Sequence, residues 1–227
     1  MQPYFFPYIG YFQLIAAVDC FIVYDNIQYT KKGWINRNKI LKNDKETVFT
    51  LPLKNDTDTL DIGERELAEI FNPKKLLAQI SDAYRRAPYF NQTMPLIQEI
   101  LQQDTRNLFQ FLHYSILKTC SHIGLKTKIR ISSDIVIDHT LRSQEKVIAL
   151  CQAVGADTYI NSIGGQLLYA KDDFINKKLK LHFIQPKTFI YDQLRSEFTP
   201  WLSIIDVMMF NSLEATRTAI YKNYDLV

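Results

Sequence analysis

Three short stretches of this chain place hydrogen-bonding, aromatic and cationic side chains at spacings that suit a ligand. The first is the opening Gln2-Pro3-Tyr4-Phe5-Phe6-Pro7-Tyr8-Ile9-Gly10. Its prolines fix φ and hold each preceding residue extended, so Tyr4 and Tyr8 read as a rigid aromatic wall. The planar amide of Gln2 beside that wall suits a nucleobase or a sugar. Gly10 allows close approach just before a helix, whose N-terminus attracts phosphate. A tightly packed first strand and turn accounts for the same residues without a ligand.

The second stretch follows Asp25, at the expected C-terminal end of a strand, the edge where open α/β sheets bind ligands. Gln28, Lys31, Lys32, Trp34, Asn36, Arg37 and Asn38 come within the next thirteen residues. Trp34 offers a stacking face, while Lys32 or Arg37 can meet a phosphate. The bland alternative is a solvated hairpin anchored by one tryptophan. The third stretch is Asn161-Ser162-Ile163-Gly164-Gly165, directly after another strand, where a glycine pair can expose backbone N–H groups as an anion nest. A plain tight turn fits it equally.

Other candidates are thinner. His139 follows Asp138 and precedes a helix, which makes it a candidate general base, although a lone histidine is usually structural. Neither H-E-x-x-H, C-x-x-C, a nucleophile elbow, G-x-G-x-x-G nor a phosphate loop is present, so no metal and no particular cofactor is implied. Asp206 lies in the apolar run Ile204–Phe210 and needs a buried partner. An N-terminal polar group or Arg37 is the expected one.

These residues must be held by the elements around them. Tyr11–Ala17 reads as a short helix and Asp19–Asp25 as a buried parallel strand. Residues 26–43 read as a polar and aromatic stretch with Lys31-Lys32-Gly33 marking a turn, Glu46–Leu53 as a strand, and residues 64–124 as a helical insertion. Within it Pro73 opens a helix and Gly124 stops one. Lys128–Val136, Thr158–Ile160 and Leu179–Ile184 read as strands, Ser143–Val154 as a helix, and 199–221 as mostly helical. Alternating strands and helices predict an α/β fold, a mainly parallel sheet flanked by helices and Rossmann-like, in a single domain spanning 1–227.

The totals bound the function class. With 227 residues, 47% of them hydrophobic, the chain can bury a substantial core. A net charge of +3 argues against nucleic acid as partner. The three cysteines, Cys20, Cys120 and Cys151, share no metal-like spacing. No apolar run reaches membrane-spanning length, and no secretory leader is recognised, so the expectation is a reduced, soluble, cytoplasmic protein.

Taken together, "QPYFFPYIGYFQLI", "DNIQYTKKGWINRNKI", "APYF", "INSIGGQLLY" and "FTPWLSIIDVMMFNS" resemble the WbqC-like family from residue 2 to about 212. That family takes its name from genes among those building bacterial O-antigen, the polysaccharide of lipopolysaccharide, and related surface polysaccharides. The resemblance supplies a setting and no catalytic residues. A fainter likeness is to nucleotidyltransferase-like α/β proteins. Their H-x-G-H phosphate motif is replaced here by Tyr8-Ile9-Gly10-Tyr11, which removes the histidines of adenylyl transfer and leaves an analogy of fold.

The leading expectation is therefore a transferase that modifies a nucleotide-linked, amino-deoxy sugar with an acyl or aminoacyl donor. In it Tyr4, Tyr8 and Trp34 stack on the substrate, while Gln2, Asp25, Gln28 and Asn36 hydrogen-bond it. Lys32, Arg37 and the Asn161–Ser162–Gly164–Gly165 turn hold phosphate, and Asp25 or His139 is the base. A non-catalytic binding or scaffolding protein of the same pathway is the competing expectation.

Overall fold

The computed structural model describes residues 1–195 and 197–227. In chain order these form α1 (Ile9–Ala16), β1 (Cys20–Val23), β2 (Arg37–Lys42), β3 (Lys45–Thr50), α2 (Pro73–Tyr84), α3 (Phe90–Leu101) and α4 (Leu108–Ile123). Then come β4 (Lys128–Ile131), α5 (Ser143–Ala153), β5 (Thr158–Ser162), α6 (Lys171–Asn176), β6 (Lys180–Pro186), α7 (Ile204–Phe210), α8 (Leu213–Lys222) and β7 (Tyr224–Leu226). Short 3-10 turns sit at Ile62–Glu64, Ser132–Asp134 and Ile163–Leu168.

The fold is mixed α/β, but its strands form three small sheets and not one mainly parallel sheet. β1 pairs in parallel with β4, and β5 in parallel with β6. β2 and β3 make an antiparallel hairpin, and β7 adds antiparallel to β6. The hairpin begins inside the polar stretch 26–43, but it reverses at Asn43–Asp44 and not at Lys31–Gly33. Its turn residues Asn43 and Asp44 both take φ > 0 (50° and 58°), the geometry that matches the twist of paired strands.

The helices of 64–124 share the main core with the N-terminus. Phe5 and Phe6 are fully buried, and the Phe5 ring meets Phe49 and Phe111 edge-on at 5.4 and 5.9 Å. Asn72 caps α2 by accepting from Lys75 N–H at 3.0 Å, with Pro73 in the first turn. Gly124, at φ 84°, ends α4.

Residues 2–8 form no strand, yet neighbouring elements hold them on several sides. Phe5 N–H donates to Ile35 O at 2.9 Å. Phe6 O accepts from Asn38 Nδ2 at 2.8 Å and Ser203 Oγ at 2.7 Å, and Pro7 O accepts from Ile204 N–H at 2.9 Å. Those bonds hold Phe6 at φ 43°, which a bulky residue adopts only under such constraint. Gly10 is needed because the Tyr8 ring folds over it: a Cβ there would lie 2.4 Å from that ring.

Candidate functional site

Asp25 and Ser132 leave the C-terminal ends of the parallel neighbours β1 and β4, so the strand pairing brings together residues 107 positions apart. The Ser132 hydroxyl, fully buried, lies 2.8 Å from Asp25 Oδ1 and 2.7 Å from Asn26 Oδ1. Ser133 N–H donates to the same Asp25 oxygen at 3.1 Å. Burial pushes the Asp25 pKa up, but hydrogen bonds from Ser133 and Ser132 outweigh it and hold the carboxyl below its ordinary range.

Asn26 is the hub. Lys146, on α5 and buried, donates from Nζ to Asn26 O at 2.9 Å and to Oδ1 at 3.2 Å. Burial lowers the Lys146 pKa, while the charges of Asp61 and Asp25 oppose that shift. His139 Nδ1 lies 2.9 Å from Asn26 Nδ2, and its Nε2 lies 3.0 Å from Ile135 O. A carbonyl only accepts, so Nε2 carries the proton and Nδ1 accepts from Asn26. Both ring nitrogens are then occupied within the protein.

Asp61 closes the cluster. The 3-10 turn after it docks on the exit of β1: Ile62 N–H donates to Ile27 O at 2.9 Å, and Gly63 N–H to Asp25 O at 2.8 Å. A Cβ on Gly63 would approach that Asp25 carbonyl to 3.2 Å, so the docking favours glycine. Burial and then the Glu64 charge raise the Asp61 pKa, with Lys146 opposing. Two carboxyls that share the neighbourhood of Lys146 are thus pushed in opposite directions, an arrangement that lets one hold charge while the other exchanges a proton. The single Ser132 proton serves two acceptor oxygens, so the cluster suits a ligand that brings N–H or O–H donors.

The other residues named from sequence are dispersed. Gln2 accepts from Tyr4 OH at its side chain (3.3 Å) and from Tyr11 OH at its backbone (3.0 Å). Tyr8 meets Trp201 edge-on at 5.8 Å, beside an apolar cavity lined by Tyr191 and Phe198. Gln28 donates to Asp58 O at 2.7 Å. Asn36 accepts from Tyr29 OH at 2.8 Å and donates to Leu51 O at 2.7 Å.

Trp34 is 44% exposed, with Arg37 5.7 Å and Lys39 5.6 Å from its ring centroid. The Arg37 guanidinium donates to Gly33 O and Lys32 O, both at 3.0 Å, and so closes its own turn. Asn161 donates to Tyr169 OH at 3.1 Å and accepts from Ser162 N–H at 2.8 Å. Gly164 and Gly165 lie in a 3-10 turn, and neither has φ > 0. A Cβ on Gly165 would meet Asn161 Nδ2 at 2.8 Å, so that glycine permits a close approach. Asp206 takes neither Arg37 nor an N-terminal group as its partner; Gln193 Nε2 donates to it at 3.3 and 3.4 Å.

Asn26, Asp61 and Lys146 escaped the reading of the sequence, and Ser132 was seen only as the end of an expected strand, without a site role. Ser132 carried a usable signal, because it ends a strand parallel to the one that Asp25 leaves. Lys146 lies within the expected helix Ser143–Val154 and Asp61 just before the expected helical insertion, and no spacing set either apart. Among the described residues no group of three or more His, Cys, Asp or Glu side chains is placed to hold a metal ion, and no helix is long and apolar enough to cross a membrane.

Among known proteins, the chain is 26% identical over 218 residues to the uncharacterized protein Rv1507c of Mycobacterium tuberculosis, an alignment covering 95% of this chain and 94% of that one. No solved structure matches. The quoted motifs agree with a family model that matches residues 2–218, and the chain belongs to the WbqC-like protein family.

Proposed function

We propose that this protein transfers an acyl or aminoacyl group to the amine of a nucleotide-linked amino-deoxy sugar, in the synthesis of O-antigen or a related surface polysaccharide. The observation that carries the reading is the hydrogen-bonded group of Asp25, Ser132, Asn26 and buried Lys146 at the C-terminal edge of a parallel strand pair, with the Asp61 loop docked on Asp25 O through Gly63 N–H. The opposed pKa directions of the two carboxyls fit it. Ionised Asp25 accepts hydrogen bonds from the sugar and orients it. Asp61, the more basic carboxyl, takes a proton from the amine as its nitrogen bonds to the donor carbonyl carbon. Lys146 stabilises the negative charge that develops on the carbonyl oxygen. Collapse of that intermediate breaks the bond to the leaving group, which departs with the proton from Asp61.

Exposed Arg142, whose charge acts on both Asp61 and Lys146, would meet the nucleotide phosphate. It takes the role expected of Arg37, whose guanidinium already closes its own turn. Calorimetry with uridine- and thymidine-linked amino sugars tests the reading, followed by mass spectrometry with acyl and aminoacyl donors. Asp61→Asn should bind the sugar within about threefold of wild type and lose turnover, while Lys146→Met should lose turnover by about a hundredfold or more. Absence of binding at millimolar sugar would remove the substrate class. Binding without turnover for any donor would favour a carrier or scaffold of the same pathway.

A further inference from the structure

β1 and β5 each have one paired edge and one bare edge. β1 is paired on one side with β4, and β5 with β6. Between them lies a cavity of about 490 Å³, lined by Cys20–Ile22 on one side and Thr158–Ile160 on the other. Val147, Leu150 and Cys151 of α5, Leu14 of α1 and Ala17 at its C-terminal cap complete its walls. The two helices cover opposite faces. Tyr159 packs in the small core with Val147 and Cys151, Ile160 packs in the main core with Leu14, and successive strand residues point to opposite faces. The cavity is thus bounded by two strand edges and two apolar helix faces.

The backbone of Met1 already makes the first rung along this slot. Its terminal nitrogen donates to Ile22 O at 2.7 Å, and its carbonyl accepts from Tyr24 N–H at 2.9 Å. That is the pattern of a parallel neighbour with Met1 opposite Val23. In a strand the N–H and C=O of one residue point to the same side, so Ile22 N–H also faces the cavity. On the other wall Asp157 O accepts from Lys180 N–H, which turns the odd-numbered residues towards β6 and leaves Thr158 and Ile160 facing the cavity. The terminal amine is part-buried against β1, and burial pushes its pKa down to about 5. An amide N–H in its place would keep the bond to Ile22 without a charge to desolvate.

We propose that this cavity is a strand slot, filled by an apolar segment of about four residues that runs into Met1, parallel to β1, and joins the two parallel pairs into one sheet in the order β4-β1-slot-β5-β6-β7. About 3.3 Å per residue matches the length of the β1 edge. Apolar helices on both faces require hydrophobic residues at every position, as in a central parallel strand. A segment in the same chain is favoured over a separate peptide because the ladder already starts at Met1, on the correct edge and in the correct direction. The completed sheet would place Gln2, Asp25 and Ser132 after three of its strands and Asn161 near the end of a fourth, along one edge. The proposal rests on the ladder and the cavity and is independent of the reaction.

The test adds Val-Ile-Val-Ile directly before Met1 and compares it with Gly-Ser-Gly-Ser and Val-Pro-Val-Pro additions. The apolar strand should raise Tm by about 5 °C or more over both controls. It should also slow amide exchange at Ile22 and at Ile160 by about tenfold or more. Proline fails because it removes ladder donors. Equal Tm for all three additions, or protection at Ile22 alone, would overturn the proposal. So would a free acetylated Val-Ile-Val-Ile peptide that stabilises the unextended chain as well as the fused strand does, since the slot would then belong to a separate partner.

Discussion

Asp25 and Asp206 are two aspartates placed in opposite surroundings. Asp25 sits half-buried at the end of β1, where Ser132 and Ser133 supply hydrogen bonds that favour its charge, and its pKa falls. Asp206 is fully enclosed in α7, with Gln193 as a hydrogen-bond donor at 3.3–3.4 Å, and burial drives its pKa up to about 7. The same side chain is therefore a fixed anion in one region and a titrating group near neutrality in the other. The difference lies in how many donors each backbone delivers. A strand end followed by a 3-10 turn offers a free N–H and a hydroxyl. The apolar run Ile204–Phe210 offers neither, and Gln193 from the preceding loop is divided between Asp206 and Thr199 O at 3.1 Å.

The largest expected effect breaks the contrast from the Asp206 side. Its raised pKa means the folded state holds a proton that the unfolded state releases, so stability falls as pH rises from about 4 to about 7 and stays low above. A shift of about three pKa units corresponds to roughly 4 kcal/mol. Asp206→Asn should recover up to that amount at pH 8, on the order of 10 °C in Tm, and almost none near pH 4. A gain independent of pH in thermal melts would show that Asp206 is not the titrating group.

Next comes the other carboxyl. Ser132→Ala removes a buried hydroxyl that bonds a charged oxygen, at a cost of about 1.5–3 kcal/mol at pH 7. The loss should shrink as pH falls through the folded pKa of Asp25, because a depressed carboxyl stabilises the fold only while it is ionised. Urea denaturation from pH 7 downward, through the Asp25 titration followed by its carboxyl NMR shift, reads the loss. A loss unchanged across that titration would mean that the hydroxyl serves Asn26 and not Asp25.

A smaller effect concerns the order of titration. Carboxyl NMR shifts should place Asp25 below the ordinary aspartate value, Asp61 above it, and Asp206 highest of the three. Lys146→Met should move Asp61 further up, since the lysine charge opposes its shift. Coincident titration of Asp25 and Asp61 would remove the division of labour between them. The smallest effect is expected at the exposed turn, where Arg37→Ala breaks two bonds to carbonyls at a cost of about 1 kcal/mol or less. A loss comparable to that of Ser132→Ala would give the turn a larger part in stability than its exposure implies.

Local rules made much of the chain legible without a structure. Asn72-Pro73 and Gly124 bound helices because capping and the left-handed stop are local chemistry. The buried strand Cys20–Val23 showed in its unbroken apolar run, and the opening Pro-aromatic segment announced a terminus tied into the core. The family was legible from ordered motifs spread across the chain. Asp25 and His139 were both singled out from their positions beside expected strands and helices.

Tertiary structure decided what depends on residues far apart in sequence. That Ser132 meets Asp25, that Lys146 reaches Asn26, and that Asp61 docks over the exit of β1 all follow from parallel pairing and from a loop folding back. No local pattern encodes these meetings. Two expectations fared likewise: Arg37 looked free, yet two of its five N–H donors close its own turn, and Asp206 was expected to pair with an N-terminal polar group or Arg37, yet Gln193 donates to it. Sequence by itself determined which segments are helical, buried or capped, because those choices are settled within a few residues. Which polar groups share a proton, and which carboxyl stays charged, was decided by the donors and burial that the assembled fold brings to each.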